Sequence, residues 1–526
     1  MVDVPGTLQI GNERAMNDLI TAAASSDLGF PAWLRITHFI NFVFVGVLIR
    51  SGIEILSSHP RLYWNNHCGP GTDWIHFTKR VVPAQEGEYM ARDDELVLPK
   101  WFSLPGGKKI GLGRRWHGVT NFLWMVNGLI YAVLLFGTGQ WRRLVPTSWD
   151  VFPQAWESLR TYLTFNLPPL ENFQPYDALQ QLMYAFIVFV VAPMMILTGI
   201  AMSPAVVGRF PWYARLFGNR QSARSLHFLG MAIYLVFVVF HVSLVFIAYP
   251  RHNVTNMVFG EYLPERFAAG LVIMLTMIAA VIAFWLWQSY WSHKDLRRTQ
   301  IVLNTLEEPI RALFVNRLKS RQRGFYKEED ISPYHWSNGR HPTPEESPEW
   351  EALRENDWQG YELEVGGLTN KTIKLTLDDL RDMARQEQIT MHTCMQGFTG
   401  IAKWGGVRLS DVLALVEPNE NANFLMLTSY GTAQTMYDGR PLEPYYTCLP
   451  KDLVYEDETI LAFDMNDKPL PLTFGAPLRL RVESIHGYKM VKYLHKIEWI
   501  EDYRTEGDGM GGTREDSGLQ SINAKI

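Results

Sequence analysis

Five runs of about twenty predominantly apolar residues, near 34–56, 117–138, 179–203, 227–249 and 267–290, set the first limit on what this chain can become. A helix needs ~20 such residues to cross the hydrocarbon of a bilayer. Inside it every backbone N–H and C=O must find its partner within the segment, so the runs are expected to be spanning helices. The whole-chain mean hydropathy of −0.07 conceals them, because the second half is polar and mixed. No cleavable leader and no twin-arginine pattern precedes the first run, so the runs themselves are expected to place the chain in the cell membrane as a multi-pass protein. Eighteen tryptophans, 22 tyrosines and 28 phenylalanines suit the aromatic belts of such a protein. A net charge of −5 gives no ground for a nucleic-acid partner.

The expected organisation is a transmembrane helix domain over 30–290, a charged connector over 291–330, a globular domain over 331–505 and a disordered tail over 506–526. The long segment between the first two runs, about 57–115, reads as a small cap. The stretch around Trp156 to Phe165 is amphipathic and is expected to lie on the surface. After Ile331 the pattern shortens to alternating runs such as YELEVGG, KTIKLT, LRLRVES and KIEWIED, which read as strands. One helix signal, LTLDDLRDMARQE, follows Thr376 as its N-cap. The fold class is therefore an N-terminal all-α bundle of about five spans followed by an α+β domain.

Histidine within or at the edge of a spanning helix is costly and suggests function. His38, His117, His227 and His241 stand out. The last two share a run and lie 241 − 227 = 14 residues apart, nearly four turns and about 21 Å along one helix face. With alternating helix direction, His38 pairs with His241 near one membrane surface and His117 with His227 near the other. Two imidazoles on each iron would make two low-spin haems b suited to electron transfer. Gly46, Gly128 and Gly230 are small enough either for a flat macrocycle or for helix packing. Arg35, Arg114, Arg115 and Arg224 lie where they could pair with haem propionates or anchor the interface.

The segments RITHFINF, RRWHGVTNF, RSLHFLGMAIYLVFVVFH and SHPRLYWN resemble the di-haem cytochrome b subunits of membrane formate dehydrogenases, nickel–iron hydrogenases and thiosulfate reductases, over most of residues 30–250. The resemblance implies that the four histidines are axial haem ligands and that the partner is membrane quinone or quinol.

The three cysteines, Cys68, Cys394 and Cys448, form no CxxC pair and argue against a disulfide framework. Taken alone, Cys394 reads as a buried inert thiol. Its segment, TMHTCMQGFTGIAKWGGVRLSDVL, however resembles the molybdenum-ligand motif of the sulfite-oxidase family, with Trp404, Gly405, Gly406, Val407 and Leu409 in the W-x-G-V-x-L run. ILAFDMNDKPLPLTFGAPLRLRVESIHGYKMVKYLHKIEW resembles the second signature of that family, in which Asn466, Pro469, Pro471, Gly475, Pro477 and Arg479 would shape the cofactor-facing loops. The resemblance makes Cys394 the molybdenum ligand of a molybdopterin domain. It makes His335, Asn338, Gly487, Lys489 and Lys492 cofactor contacts, and Tyr445 or Tyr446 the tyrosine near the metal. Cys448 reads as structural. His392 and His486 line the site or serve the core. Where sulfite oxidases follow the cysteine with arginines, Met395, Gln396, Gly397 and Phe398 stand here, so sulfite is a poor expectation for the small-molecule substrate.

Together these resemblances imply a membrane molybdenum oxidoreductase that exchanges electrons with quinone through two haems. A quinol-linked sulfoxide-type reductase is one alternative. A haem electron-transfer or sensing protein with a degenerate soluble domain is another. With five spans, the soluble domain falls on the side of His117 and His227. The family precedent makes that side periplasmic, whereas Lys108, Lys109, Arg114, Arg115, Arg209, Arg215 and Arg220 near it point inward under the positive-inside rule. Whether the protein is a homo-oligomer is left open.

Overall fold

The computed structural model describes residues 29–104, 110–167, 176–314, 318, 320–432, 443–518 and 522. The chain opens with helix α1 (Ala32–Ser57), then strands β1 (Arg61–Tyr63) and β2 (Asp73–His76) of the cap, α2 (Ile110–Gly137) and the short α3 (Val151–Leu163). Helix α4 (Ala178–Met202), α5 (Arg220–Ile247), α6 (Phe267–Lys294) and α7 (Leu296–Phe314) follow. Among the described residues, five helices (α1, α2, α4, α5 and α6) are long and apolar enough to cross a membrane. Their flanks leave residues such as Leu129, Val239 and Val272 more than 60 % exposed. A row of that kind is stable only against lipid. The amphipathic α3 turns Phe152 and Trp156 outward, as the sequence predicts.

Helix α4 begins at Asp177, whose carboxylate accepts from Gln180 N at 2.9 Å while Gln180 returns a bond to the Asp177 N–H. This capping box satisfies two of the four amide donors that a helix start leaves open. Midway, residues Ile187–Val191 make a π turn, a local widening common near functional sites.

The polar half begins with β3 (Glu362–Gly367) and β4 (Ile373–Thr376), followed by β5 (Arg385–Thr393), β6 (Thr399–Arg408), β7 (Phe424–Thr432) and β8 (Pro444–Pro450). It continues with β9 (Ile460–Met465), β10 (Lys468–Pro469), β11 (Arg479–Arg481) and β12 (Leu494–Ile500). One sheet runs β4-β3-β12-β7-β8, with β12 parallel to β3; the other runs β10-β9-β6-β5, with β11 on β9. Leu363, Val407, Leu427, Leu480, Ile497 and Trp499 form the shared core. The predicted helix after Thr376 is present but shorter, as Leu377–Asp382, with Thr376 Oγ1 accepting from Asp379 N at 3.1 Å, and the Arg385, Gln386 and Glu387 that the helix reading included open β5 instead. The fold is the expected α+β domain.

Two expectations differ. Residues 506–518 are folded, not disordered: Glu515 is buried and ion-paired with Lys489, and Tyr446 OH donates to Asp516. Glycine and charge in that stretch suggested solvation, but Lys489 needs a buried counter-charge, and the tail supplies it. The compact units also cut across the linear domains. One gathers the chain up to Gly46, Thr120–Ile196 and Leu229–Trp285; the other gathers Val47–Val119, Leu197–Phe228 and Leu286–Ile526. The cap and the starts of α2 and α5 thus belong with the polar domain.

Candidate functional site

In the first unit, His38 and His241 face each other with ring centroids 6.0 Å apart. In the second, His117 and His227 do the same at 6.4 Å. Metal–imidazole bonds of ~2.0 Å on either side of one ion place two ring centroids about 6 Å apart, so both pairs fit an iron between them. The outward nitrogens are already engaged. His117 Nδ1 pairs with Ser51 Oγ at 2.9 Å, and the same hydroxyl is within reach of Val47 O. His227 Nδ1 pairs with Thr198 Oγ1 at 3.0 Å, and His241 Nδ1 with Tyr184 OH at 3.3 Å. Contacts of this kind fix the ring and leave Nε2 for a metal.

The glycine readings divide. A Cβ on Gly46 would enter the Trp285 ring and one on Gly230 would enter Met195, so these two serve helix packing; Gly128 has nothing within 4 Å. The arginines do not wait for propionates. Arg114 donates to Met395 O, and Arg115 pairs with Glu307. Arg224 donates to His59 O and Arg61 O, each at 2.7 Å, and Arg35 to Phe30 O at 3.0 Å.

Cys394 sits at the tip of the β5–β6 hairpin, where Cys394 N donates to Phe398 O at 3.1 Å. Gly397 closes the turn at φ +120, with the Arg224 guanidinium where a Cβ would point, so both the backbone and the space require glycine. The thiol is 4 % exposed. Burial pushes it up to about 11, against a Gln396 backbone bond and the charges of Arg114 and Arg220. A thiolate there therefore needs a bound cation, and sulfur selects a soft one.

The hairpin forms part of the wall of a cleft of about 240 Å³ whose lining includes His335, Asn338, Cys394, Tyr445, Gly487 and Lys492. Its charge is built for an anion. Arg479 and Arg481 flank Trp404 at 5.0 and 4.4 Å from the ring. Arg479 is 7 % exposed, and among the described residues its Nε has no partner, an orphan donor that a ligand oxygen would satisfy. Lys492 Nζ lies within hydrogen-bond distance of Asn338 O, Gly339 O and Thr473 O. His392 is held well below its ordinary range by burial and by Arg481, Arg479 and Lys492. These residues fit a phosphorylated cofactor, and a soft metal carried by it would be within the reach of the Cys394 thiolate.

The other candidates separate. Asn338 Nδ2 approaches Cys394 Sγ at 4.0 Å. Both ring nitrogens of His335 face acceptors, Glu86 Oε1 at 3.1 Å and Ile401 O at 3.0 Å, so it is better placed to shape the wall than to bind a ligand. Lys489 is a correction: its ammonium is buried on Glu515, Cys448 O and Gly511 O, behind the cleft. Tyr446 is another, because its hydroxyl turns to Asp516. Tyr445 lines the cleft and donates to Tyr488 O. Neighbours in sequence alternate sides on a strand, so only one of the two tyrosines can face the cleft. The sequence reading missed the contribution of the cap. Arg92 and Glu95 line the cleft, Glu95 accepts from Gln396 Nε2 at 2.5 Å, and Ala91 N donates to Ser337 O.

Lys492 is pushed down to about 7 by burial, Arg479 and Arg92. An anion placed among these groups restores the ammonium form. Loading the apoprotein with molybdopterin at pH 8 is therefore expected to take up a proton, and Lys492→Gln to abolish that uptake. Calorimetry in buffers of different ionisation enthalpy measures it.

Paired imidazoles on membrane helices, joined to a basic cleft around one thiol, are the equipment of a membrane-bound oxidoreductase. The chain is a fusion of a cytochrome b561-type membrane domain with an oxidoreductase molybdopterin-binding domain: the family model described as prokaryotic cytochrome b561 matches residues 29–260, and that described as oxidoreductase molybdopterin binding domain matches 351–506. It is similar to a putative protein-methionine-sulfoxide reductase subunit YedZ1 of Azospira oryzae, 29% identical over 32% of this chain and 56% of the relative. It is also similar to the protein-methionine-sulfoxide reductase catalytic subunit MsrP of Xanthomonas axonopodis, 33% identical over 27% of this chain and 45% of the relative. The mitochondrial sulfite oxidase of Drosophila melanogaster is 31% identical over 26% of this chain and 27% of that enzyme. The chain spans about half the length of the first two.

Proposed function

We propose that this protein couples two-electron, oxygen-atom chemistry at Cys394 to the membrane quinone pool through two haems b, and that it runs as a quinol-linked reductase of sulfoxide-type substrates. One observation carries the coupling. The Cys394 turn is hydrogen-bonded to the starts of the two helices that hold His117 and His227, through Arg114 to Met395 O and through Arg220 and Gln221 to Gly397 O at 3.0 and 2.9 Å. The direction is supported by the names of the relatives and by Met395 and Gln396 standing where an oxyanion site would carry arginine.

A molybdopterin bound in the cleft supplies the oxygen-atom and two-electron chemistry. The chain supplies the rest. Arg479 and Lys492 take the anionic end, Cys394 the metal, and Asn338 an amide donor beside the sulfur. Glu95 holds Gln396 against the wall, and Tyr445 presents its ring to the same space. We place this domain on the membrane face of His117 and His227, outside the cytoplasm by family precedent; protease access in intact spheroplasts tests the side.

The test of function is turnover by the purified, detergent-solubilised chain after its molybdenum and iron are measured. Oxidation of a reduced quinol analogue by free and peptide-bound methionine sulfoxide is the expected result. Reduction of quinone by sulfite instead would reverse the direction. No turnover either way with molybdenum bound would leave an electron carrier.

A further inference from the structure

The cap and both helix starts belong to the same compact unit as Cys394, so their contacts can be compared residue by residue. Two connections run from the Cys394 turn to the histidine pair. In the first, Arg114 donates to the carbonyl of Met395, the residue next to Cys394, and His117 lies three residues beyond Arg114 on the same helix. In the second, Arg220 and Gln221 donate to Gly397 O, three residues from Cys394, and His227 lies six or seven residues further along. Each contains one hydrogen bond, but the first contains far fewer covalent bonds.

We propose that Arg114 is the positioning residue that sets the rate of electron passage between the His117/His227 iron and the centre at Cys394, with Arg220 and Gln221 holding the turn in place. This rests on the functional reading above. The step would be a single electron: a haem iron held by His117 and His227 would supply it in going from ferrous to ferric, a centre held by Cys394 would accept it, and no bond or proton need move. A cationic donor suits the task, since a charge-assisted bond to a carbonyl is shorter and stiffer than a neutral one. Gln396, Gly397 and Phe398, which follow Met395, are buried and limit water at the turn, while Met395 itself is half-buried.

Laser-flash photoreduction of the full-length holoenzyme by a deazaflavin donor tests this without any substrate, because haem absorbance reports the electron leaving for the cleft. Arg114→Gln is expected to slow that phase about tenfold, the lower end of what loss of an outer contact to a metal site costs. Haem and molybdenum content should remain those of the parent, and haem midpoint potentials, which the lost charge can shift, are measured so that rates are compared at equal driving force. Arg114→Lys, which keeps a cationic donor, should recover part of the rate, and Arg220→Gln should slow it less than Arg114→Gln. A parental rate in Arg114→Gln overturns the proposal. So does equal slowing in Arg114→Gln and Arg220→Gln with molybdenum lost from both, which marks a merely structural clamp. Absence of any haem-to-cleft phase in the fully loaded parent would instead sink the functional reading, and the proposal with it.

Discussion

Cys394→Ala is expected to lower quinol-dependent turnover at least a hundredfold while both haem spectra stay unchanged. Even an outer partner of a metal site is worth roughly 10–100-fold, and in the proposed function Cys394 contributes the ligand atom itself. The substitution is structurally mild. The side chain is small, and the turn that carries it is set by Gly397 and by the bonds to Gly397 O, none of which involve sulfur. Asn338 Nδ2 and Gln396 Oε1 lose only weak contacts at 4.0 and 3.7 Å. Arg479, Lys492 and the cleft wall remain, so the variant should retain part of its pterin. Turnover and molybdenum content must therefore be measured on the same sample. Parental turnover in a molybdenum-loaded Cys394→Ala protein would remove the thiol from the chemistry.

His117→Ala is expected to reduce haem iron from about two to about one per chain and to cut the cleft off from quinol. The pair it breaks, His117 with His227, belongs to the unit that holds Cys394, whereas His38 and His241 belong to the other. His38→Ala should likewise leave about one haem, but that haem should still equilibrate with the cleft when reduced directly. The two variants thus lose the same amount of iron and differ in function. A pyridine haemochrome assay counts the haem, and haem reoxidation by methionine sulfoxide after dithionite reduction reads the connection. Identical behaviour of both variants would contradict the assigned order along the electron route.

Much of this was legible in the sequence for a physical reason. A spanning helix imposes a fixed rise and period, so a 14-residue interval on one run already brings His227 and His241 onto one face. The pairing then follows from alternating direction. Cys394 was not legible from chemistry, since a lone cysteine is ordinarily an inert core residue; only the likeness of its flanking residues marked it. Lys489 and Tyr446 were misplaced because a motif read along a line does not say which of two nearby side chains turns inward. Lys489 is held by a glutamate 26 residues later (515 − 489), in a tail whose composition suggested disorder. Glu86, Arg92 and Glu95 carried no signal at all. Arg92 and Glu95 reach the cleft, and Glu86 reaches His335 in its wall, because the cap between α1 and α2 packs against residues 335–337 and Gln396.

The cap has one more consequence. Two free proteins meeting at this seam would forfeit an estimated 4–15 kcal/mol of translational and rotational freedom on association. Here α7 and the connector have already made that contact intramolecular, so the local concentration of one face at the other is set by the tether rather than by expression level. A bond worth ~1 kcal/mol such as Ala91 N–H to Ser337 O then adds to the joint core of Tyr63, Cys68, Ala91, Tyr334, Trp336 and Phe398 without having to offset that loss. Severing the chain within 291–330 should therefore loosen the wall of the cleft, because the cut divides the core that the cap shares with the polar domain. Co-expression of the pieces would restore it only at high concentration.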